Sequence, residues 1–187
     1  MGAVDTTRMP QPVGDAAALQ RRQYLTFQVN GEMFAMPISA IKEIIEYREP
    51  TDVPLMPAFM RGVINLRGRV VPVIDLSVRF GRGPSVPTRR TCVVILELPH
   101  EGSTQDIGVL VDAVSAVLEI ADADIEPPPS FGTRLRADFI SGMGKVGERF
   151  AIILAIEHAL SIEELASLDA LAGMQELPRP GGDGESE

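Results

Sequence analysis

The sequence is poor in the residues from which most catalytic and metal sites are built. Its 187 residues include one cysteine, two histidines and no tryptophan. Cys92 has no partner for an internal disulfide, which is typical of a reducing compartment, and its place at a strand start favours a core thiol over a nucleophile. His100 and His158 lack the i, i+4 spacing of a helical metal site. These absences predict a protein without catalytic residues, bound metal or cofactor.

Long apolar runs and targeting signals are also absent from the sequence. No stretch approaches the ~20 apolar residues that a membrane span needs. The N-terminus lacks the apolar core of a signal peptide, so we expect a soluble cytoplasmic protein. Residues 1–21, rich in small residues without periodicity, are expected to form a flexible arm. Residues 173–187 are expected to form a disordered acidic tail.

The charge is acidic overall but unevenly distributed. The net charge of −9 argues against a nucleic-acid-binding protein, which would present a basic face. Residues 61–90 nevertheless contain seven arginines and one acidic residue, whereas residues 157–187 contain eight acidic residues and one arginine. The arginines could receive an acidic partner surface or lie in solvated loops. We favour the interface for Arg67 and solvent for the arginines of residues 82–90.

The local patterns are mostly those of β-strands. Asn30-Gly31 separates two strand-like runs, which is typical of a two-residue hairpin turn. Further short aliphatic runs, VVPVIDL, CVVILEL, IGVLV and RFAIILAI, have strand length and composition. Asp75 and Asp112 follow such runs without an acid–base partner, so nearby backbone N–H groups are expected to satisfy them. Leucines at helical spacing predict one amphipathic helix over residues 157–172.

The sequence also repeats an apolar pattern. FAMPISAIKEII, from Phe34, aligns with IGVLVDAVSAVL, from Ile107, at an offset of 73 residues. FMRGV, from Phe59, aligns with FISGM, from Phe139, at an offset of 80. In the first pair the apolar spacing changes from two to three residues, which suggests a strand that enters a helical turn. Two markers in the same order favour a duplicated unit over chance recurrence.

A duplicated unit of about five short strands predicts the architecture. Curling into a small barrel removes the exposed edges that an open five-stranded sheet would have. We therefore expect a mainly β fold of two small five-stranded β-barrel subdomains packed side by side, over residues 22–85 and 90–156. The C-terminal helix of residues 157–172 completes the folded unit. The groove between the subdomains would suit a ligand or a partner helix.

The hairpin sequence resembles the signature of a known family. FMRGVINLRGRVVPVIDL is similar to the signature of the CheW family, the chemotaxis coupling proteins. IGVLVDAVSAVLEI resembles that family's second signature, and FISGMGKVGERFAIILAIEHAL resembles its C-terminal strand and helix. The resemblance covers residues 22–165. The family's fold of two small five-stranded barrels agrees with the duplication.

The resemblance implies a function that composition alone does not reveal. It implies a non-enzymatic adaptor that couples the cytoplasmic tip of a methyl-accepting chemoreceptor to the regulatory domain of a CheA-like histidine kinase. The adaptor would be recruited to receptor arrays at the inner face of the membrane. The family's receptor-binding groove maps onto Ile41, Glu43, Arg67 and Val114. Ile41 could instead be a core residue, given its place in the repeated apolar pattern.

Two alternative functions remain open at the level of sequence. The chain could couple receptors to the kinase of a surface-motility pathway or another non-flagellar chemosensory pathway. It could also be a β-barrel that binds a small apolar molecule in its groove. The absence of tryptophan and the presence of only two tyrosines disfavour such a binding cavity, because few aromatic walls are available.

Overall fold

The computed structural model describes residues 20–129 and 137–161, and strands dominate them. Two helices of four residues each are α1 (Leu76–Arg79) and α2 (Ile156–Ala159). The strands of the described residues are β1 (Arg21–Val29), β2 (Glu32–Pro37), β3 (Ile41–Glu46), β4 (Met60–Leu66), β5 (Arg69–Asp75), β6 (Cys92–His100), β7 (Ser103–Val111), β8 (Ala113–Ala121), β9 (Ile125–Glu126), β10 (Ile140–Val146) and β11 (Arg149–Leu154).

These strands form two sheets, which confirms the expected mainly β fold. The first sheet has the order β8-β1-β2-β11-β10-β9, and the second has the order β3-β6-β7-β5-β4. Neighbouring strands are antiparallel except for the pairs β2–β11 and β5–β7. The first sheet has six strands where five were expected, because the two-residue strand β9 adds to its edge.

The sheets do not divide along the chain at residues 85–90, so the expected contiguous subdomains are wrong. Strands β1 and β2 join β8–β11 in the first sheet, while β3–β5 join β6 and β7 in the second. Four strand pairs join the two halves of the chain: β1–β8 and β3–β6 are antiparallel, and β2–β11 and β5–β7 are parallel.

The strand pairing supports the sequence duplication. Val73 pairs with Gly108 in the second sheet, and Ile153 pairs with Ala35 in the first. These two pairs are related by the same offsets of 80 and 73 residues that the sequence shows. With the offsets applied, β1–β5 correspond to β6, β7, β8, β10 and β11. Each repeat therefore contributes its first two strands to one sheet and its last three strands to the other.

The expected helical turn within each repeat is mostly strand. In the first repeat a single 3-10 turn at Ile38–Ala40 separates β2 from β3. In the second repeat a bend at Asp112 separates β7 from β8. The three-residue apolar spacing reflects these kinks, which shift the alternation of strand side chains by one residue. A helical period and a kinked strand cannot be distinguished over so few residues.

Three apolar clusters explain how the sheets hold together. Each sheet surrounds a small cluster of its own. A larger cluster, which we call the central cluster, includes Phe27, Phe34, Phe80 and Phe139 and lies between the sheets. The small cluster of the first sheet is built around Tyr24, Ala35, Ile120, Ala151 and Ile153. That of the second sheet is built around Ile64, Val71, Val73, Val93, Ile95 and Leu110.

Both sheets curl, but strand pairing does not close them. A Cβ built at Gly144 of β10 would lie 2.9 Å from Ile120 of β8, so these non-adjacent strands face each other across the interior. Among the pairings of the described residues, neither β8 with β9 nor β3 with β4 is present. The expected closed barrels are thus not confirmed: the described strands form two open sheets, and the outer edge of β4 is met by a single bridge between Thr51 and Val63.

Two sequence expectations about turns and strand ends are confirmed. Asn30 and Gly31 both have positive φ, at 52° and 77°, in a two-residue turn between β1 and β2. The Asp112 carboxylate accepts the Asn30 N–H at 2.7 Å and fixes that turn to the end of β7. Asp75 is 1% exposed and accepts the N–H groups of Ser77 and Ser85 at 3.0 and 2.9 Å.

Only residues 157–161 of the expected C-terminal helix lie in the described part of the chain. Helix α2 ends at Ala159, and its C-cap residue Leu160 has a φ of −116°, outside the helical range. The remainder of the helix expected over residues 157–172 lies outside the described residues. So do residues 1–19 of the expected N-terminal arm and the whole expected tail, residues 173–187.

Arg79 connects the two halves of the molecule. Its guanidinium carbon lies 4.7 Å from the centre of the Phe59 ring and 4.8 Å from that of the Phe139 ring. Its Nε donates to the Ala159 carbonyl at 2.8 Å. Phe59 and Phe139 are the repeat-related residues that precede β4 and β10, so one cation contacts both repeats.

We expect Arg79→Ala to destabilise the fold substantially. Two cation–π contacts and a charged hydrogen bond together contribute about 2–4 kcal/mol, or roughly 5–12 °C in Tm for a chain of this size. Arg82→Ala is the matched control, because Arg82 pairs with Glu32 at the surface and such pairs contribute little. Thermal unfolding followed by circular dichroism makes the comparison. Equal melting temperatures for the two variants would contradict the role given to Arg79.

Candidate functional site

The terminal strands β3 and β8 lie on either side of Cys92. Glu46 of β3 pairs with Cys92 of β6 in the second sheet. Val114, on β8 of the first sheet, packs against the same apolar cluster as Cys92 and Ile41, and its backbone N–H is near enough to the Cys92 thiol to lower the pKa of that thiol. Neither β3 nor β8 has a second strand neighbour among the described residues. The two free sheet edges therefore approach each other here, and we call the surface between them the edge groove.

The side chains at the edge groove are apolar. Ile41 and Val114 are half-buried against the central cluster. Three residues further along β3 and β8, Ile44 and Val117 have 43% and 48% of their surface exposed. Ile44 and Val117 pair with Val94 and Leu25, both of which belong to the central cluster, so all four side chains flank the same core.

The edge groove contains two residues that the sequence reasoning did not select. Ile41 and Val114 were expected at the groove, and the structure places both at its base. Ile44 and Val117 are more exposed than either, and they are also related by the offset of 73 residues. Both positions belong to the repeated apolar pattern, but the pattern alone does not distinguish its exposed residues from its buried ones.

Arg67 and Glu43 form a bidentate ion pair beside the edge groove. The Arg67 Nη1 and Nη2 atoms lie 2.7 and 3.0 Å from the two Glu43 carboxylate oxygens. Arg67 has a φ of 52° in the two-residue turn between β4 and β5, and the Asn65 side chain accepts the Gly68 N–H at 2.8 Å. The hydrogen bonds that Arg67 donates to Glu43 raise the pKa of Arg67 above its usual value. The guanidinium is thus fixed in place, although the side chain is 74% exposed.

A β-bulge separates the four expected site residues into two pairs. Ile41 pairs with Leu96, but Glu43 pairs with Ile95, so the register shifts at Lys42. Leu96 belongs to the central cluster and Ile95 to the cluster inside the second sheet. Ile41 therefore lies on the groove side of β3, whereas Glu43 lies on the side of the Arg67 hairpin.

Most arginines of residues 61–90 have partners within the chain, which corrects the expected open basic patch. Arg69 pairs with Asp106 at 3.1 Å, and Asp106 also pairs with Lys42 at 3.1 Å. Arg61 donates to Asp75 at 3.2 Å, and Arg82 pairs with Glu32 at 2.8 Å. The structure describes all of residues 61–90, and in this stretch only Arg89 and Arg90 are exposed and form no ion pair. Arg82 is therefore paired rather than solvated.

The described residues offer little for catalysis. Burial and the neighbouring Glu46 carboxylate raise the pKa of the Cys92 thiol, whereas the Val114 N–H lowers it. The net effect keeps Cys92 protonated and weakly nucleophilic. In residues 20–129 and 137–161, no group of three or more histidine, cysteine or acidic side chains is placed to hold a metal ion. No helix in this part of the chain is long and apolar enough to cross a membrane.

Comparison with known proteins places this geometry in a family. The model of the CheW-like domain matches residues 23–164. The chain is 35% identical to the chemotaxis protein CheW of Klebsiella aerogenes over 151 residues, which cover 81% of this chain and 89% of that protein. It is 34% identical to the probable chemotaxis protein CheW of Rhizobium etli over 143 residues, covering 76% and 90%.

A solved structure agrees with the sequence comparisons. The crystal structure of the scaffolding protein TtCheW from Thermoanaerobacter tengcongensis superposes with a TM-score of 0.66 at 33% identity, covering 73% of this chain and 86% of that chain. Family model, sequence relatives and fold agree over most of the folded residues. The chain belongs to the family of proteins with a CheW-like domain.

Proposed function

We propose that this protein is a non-enzymatic chemotaxis adaptor that couples methyl-accepting chemoreceptors to a CheA-like histidine kinase. The observation that supports it most is the edge groove, where exposed aliphatic side chains lie on two unpaired strand edges. A surface of this kind suits a helical partner with an apolar stripe, because it offers apolar contact without a closed cavity. The adaptor would be cytoplasmic and recruited to receptor arrays.

The receptor tip is the proposed occupant of the edge groove. Ile41, Ile44, Val114 and Val117 would contact the apolar stripe of the receptor helix. The exposed edge of the Arg67 guanidinium would meet a receptor carboxylate, with Glu43 holding the arginine in orientation. A pre-positioned side chain loses little entropy on binding. This arrangement retains all four residues expected from the family resemblance and adds Ile44 and Val117.

The kinase would bind elsewhere, through the β10–β11 hairpin, which is related by the repeat to the β4–β5 hairpin that carries Arg67. Val70, next to the β4–β5 turn, is 75% exposed, and Phe150, next to the β10–β11 turn, is 44% exposed. These residues are related by the offset of 80. A kinase module of similar fold could contact one hairpin of the adaptor with a different surface of its own. Such heterologous contacts close into rings or extend into arrays.

Packing inside the sheets leaves no space for a small molecule at the centre of either sheet. A Cβ added at Gly108 would lie 2.8 Å from Val93 and 3.3 Å from Val73, so the interior of the second sheet has no room even for a methyl group. The interior of the first sheet is equally tight at Gly144. Coupling to a non-flagellar pathway remains an alternative within the same mechanism, since it differs only in which kinase is bound.

Co-sedimentation tests the adaptor function. Receptor-containing membranes should pellet a CheA-like kinase poorly alone and efficiently when the adaptor is present. The adaptor should pellet with receptor membranes and not with membranes that lack receptor. Failure of the adaptor to bind either partner would contradict the proposal. Comparison of kinases from flagellar and non-flagellar pathways in the same assay identifies the pathway.

A further inference from the structure

A second groove lies near the end of the described chain. Two adjoining cavities of ≈ 700 and ≈ 500 Å³ share Leu98, Pro99, Glu157 and His158 in their linings. They extend between the end of β6 and helix α2, and we call them together the C-terminal groove. Both histidines of the chain border it, since His100 lines the smaller cavity.

The first repeat has the same groove, but there it is filled. Helix α1 at Leu76–Arg79 is related to helix α2 at Ile156–Ala159 by the offset of 80 residues. The chain that leaves α1 packs back over the end of β5. Ser85 donates to Asp75 through its N–H at 2.9 Å and through its Oγ at 2.8 Å. Ser77 donates to the Gly83 carbonyl at 2.6 Å, which fixes the same segment to α1.

The polar anchors of the first groove are missing from the second. The residues related to Asp75, Arg61 and Ser77 are Ala155, Ser141 and Glu157, and all three line the C-terminal groove. Ala155 has no carboxylate with which to hold a returning backbone. The lining combines the buried side chains of Leu98, Ile140 and Leu154 with exposed Glu97, Glu157 and His158. A segment that fills the groove can therefore replace the missing polar anchors by apolar contact with the buried side chains.

We infer that residues 162–172 of this chain bind in the C-terminal groove. Ser161 is the last described residue and itself lines the smaller cavity, so the following residues start at the groove. Their sequence, IEELASLDALA, carries Leu165, Leu168 and Leu171 at the spacing of one helical face. The segment after α2 thus occupies the place that the segment after α1 occupies, with leucines in place of the polar anchors.

Amide hydrogen exchange in the full chain tests this assignment. A four-residue helix protects its amides poorly unless something covers it. We expect slow exchange at His158 and Leu160 in the native protein, and about tenfold faster exchange when Leu165, Leu168 and Leu171 are replaced together by Glu. The control replaces Ala166, Ser167 and Ala170 by Glu, which adds the same charge on the other helical face and should change nothing.

The other groove provides an internal standard. The Ser77 and Ser85 amides, both donated to Asp75, should exchange slowly in every variant. Equal exchange at Leu160 in the native protein and the leucine variant would overturn the inference. So would protection that depends on protein concentration, since a second copy would then be the occupant, or protection that appears only after the kinase is added.

A second measurement covers the case in which the leucine variant unfolds. A nitroxide attached at Ser167→Cys, in a Cys92→Ser background, should broaden the amide signals of Leu98, His100 and His158 in the otherwise native chain. Unbroadened signals at all three residues would overturn the inference independently of the leucine variant. Broadening of these signals, with those of Ser77 and Ser85 unaffected, would support it.

Discussion

Replacement of Ile44 and Val117 by Asp should abolish binding of a receptor fragment while the protein remains folded. The two side chains are 43% and 48% exposed, so the folded state loses little when they become charged. In the proposed complex they are buried against the receptor helix. Burial of an aliphatic side chain contributes about 1.5–3 kcal/mol, so two lost contacts reduce affinity by about a hundredfold or more. Titration calorimetry with a receptor fragment measures the change.

The matched control for this variant is Phe150→Asp. Phe150 is 44% exposed, close to the 43% of Ile44, but lies on the β10–β11 hairpin. The Phe150→Asp variant should leave receptor affinity unchanged and weaken binding to the kinase regulatory domain. The groove variant should show the reverse pattern. If both variants weakened the same contact, the assignment of separate receptor and kinase surfaces would be wrong.

Arg67→Glu should separate receptor binding from kinase binding in a second way. The variant places two carboxylates together beside the edge groove and reverses the charge that faces the receptor. We expect receptor affinity to fall by about tenfold or more, because like charges at an interface oppose both encounter and docking. Kinase affinity should persist, and Tm should change little for so exposed a side chain. Lys145→Glu, on the repeat-related hairpin, is the control and should keep receptor affinity.

The exchanged pair Glu43→Arg with Arg67→Glu shows which residue meets the receptor. Arg67 is 74% exposed and Glu43 only 22%, so the partner meets the arginine. The exchange should restore the internal ion pair and any lost stability but leave receptor affinity low. Full recovery of affinity would show that Arg67 acts only by holding Glu43, and the direct receptor contact would have to be abandoned.

The sequence predicted the local elements of the fold well. The Asn30-Gly31 turn, the short aliphatic strands and the Asp75 bond to Ser77 all depend on neighbouring residues, whereas Asp112 accepts the N–H of Asn30, a residue distant in sequence. The exchange of strands between the repeats was not predicted, because the parallel pairing of Ala35 with Ile153 joins residues more than a hundred positions apart. Nothing in the composition of either strand distinguishes that partner from a closer one.

Two positions of the edge groove could be named from the sequence, but the geometry of the neighbouring ion pair could not. Ile41 and Val114 were found through family resemblance, and their repeat relation is visible in the sequence. The bulge at Lys42, which turns Glu43 away from Ile41, depends on pairing with β6 and has no local signature. The carboxylate partners of the arginines could not be assigned either, since Glu43 and Arg67 meet only after β3 and the β4–β5 hairpin join one sheet.

Receptor control of kinase phosphorylation tests the proposed coupling most directly. The kinase is incubated with labelled ATP and receptor membranes, with and without this protein, and its autophosphorylation rate is measured. An adaptor must favour one kinase state in the presence of receptor, since coupling requires different affinities for the two states. We expect the rate to depend on receptor and its ligand only when the protein is present, and to lose that dependence with the Ile44→Asp, Val117→Asp variant. A rate that is the same with and without the protein would contradict the proposed function.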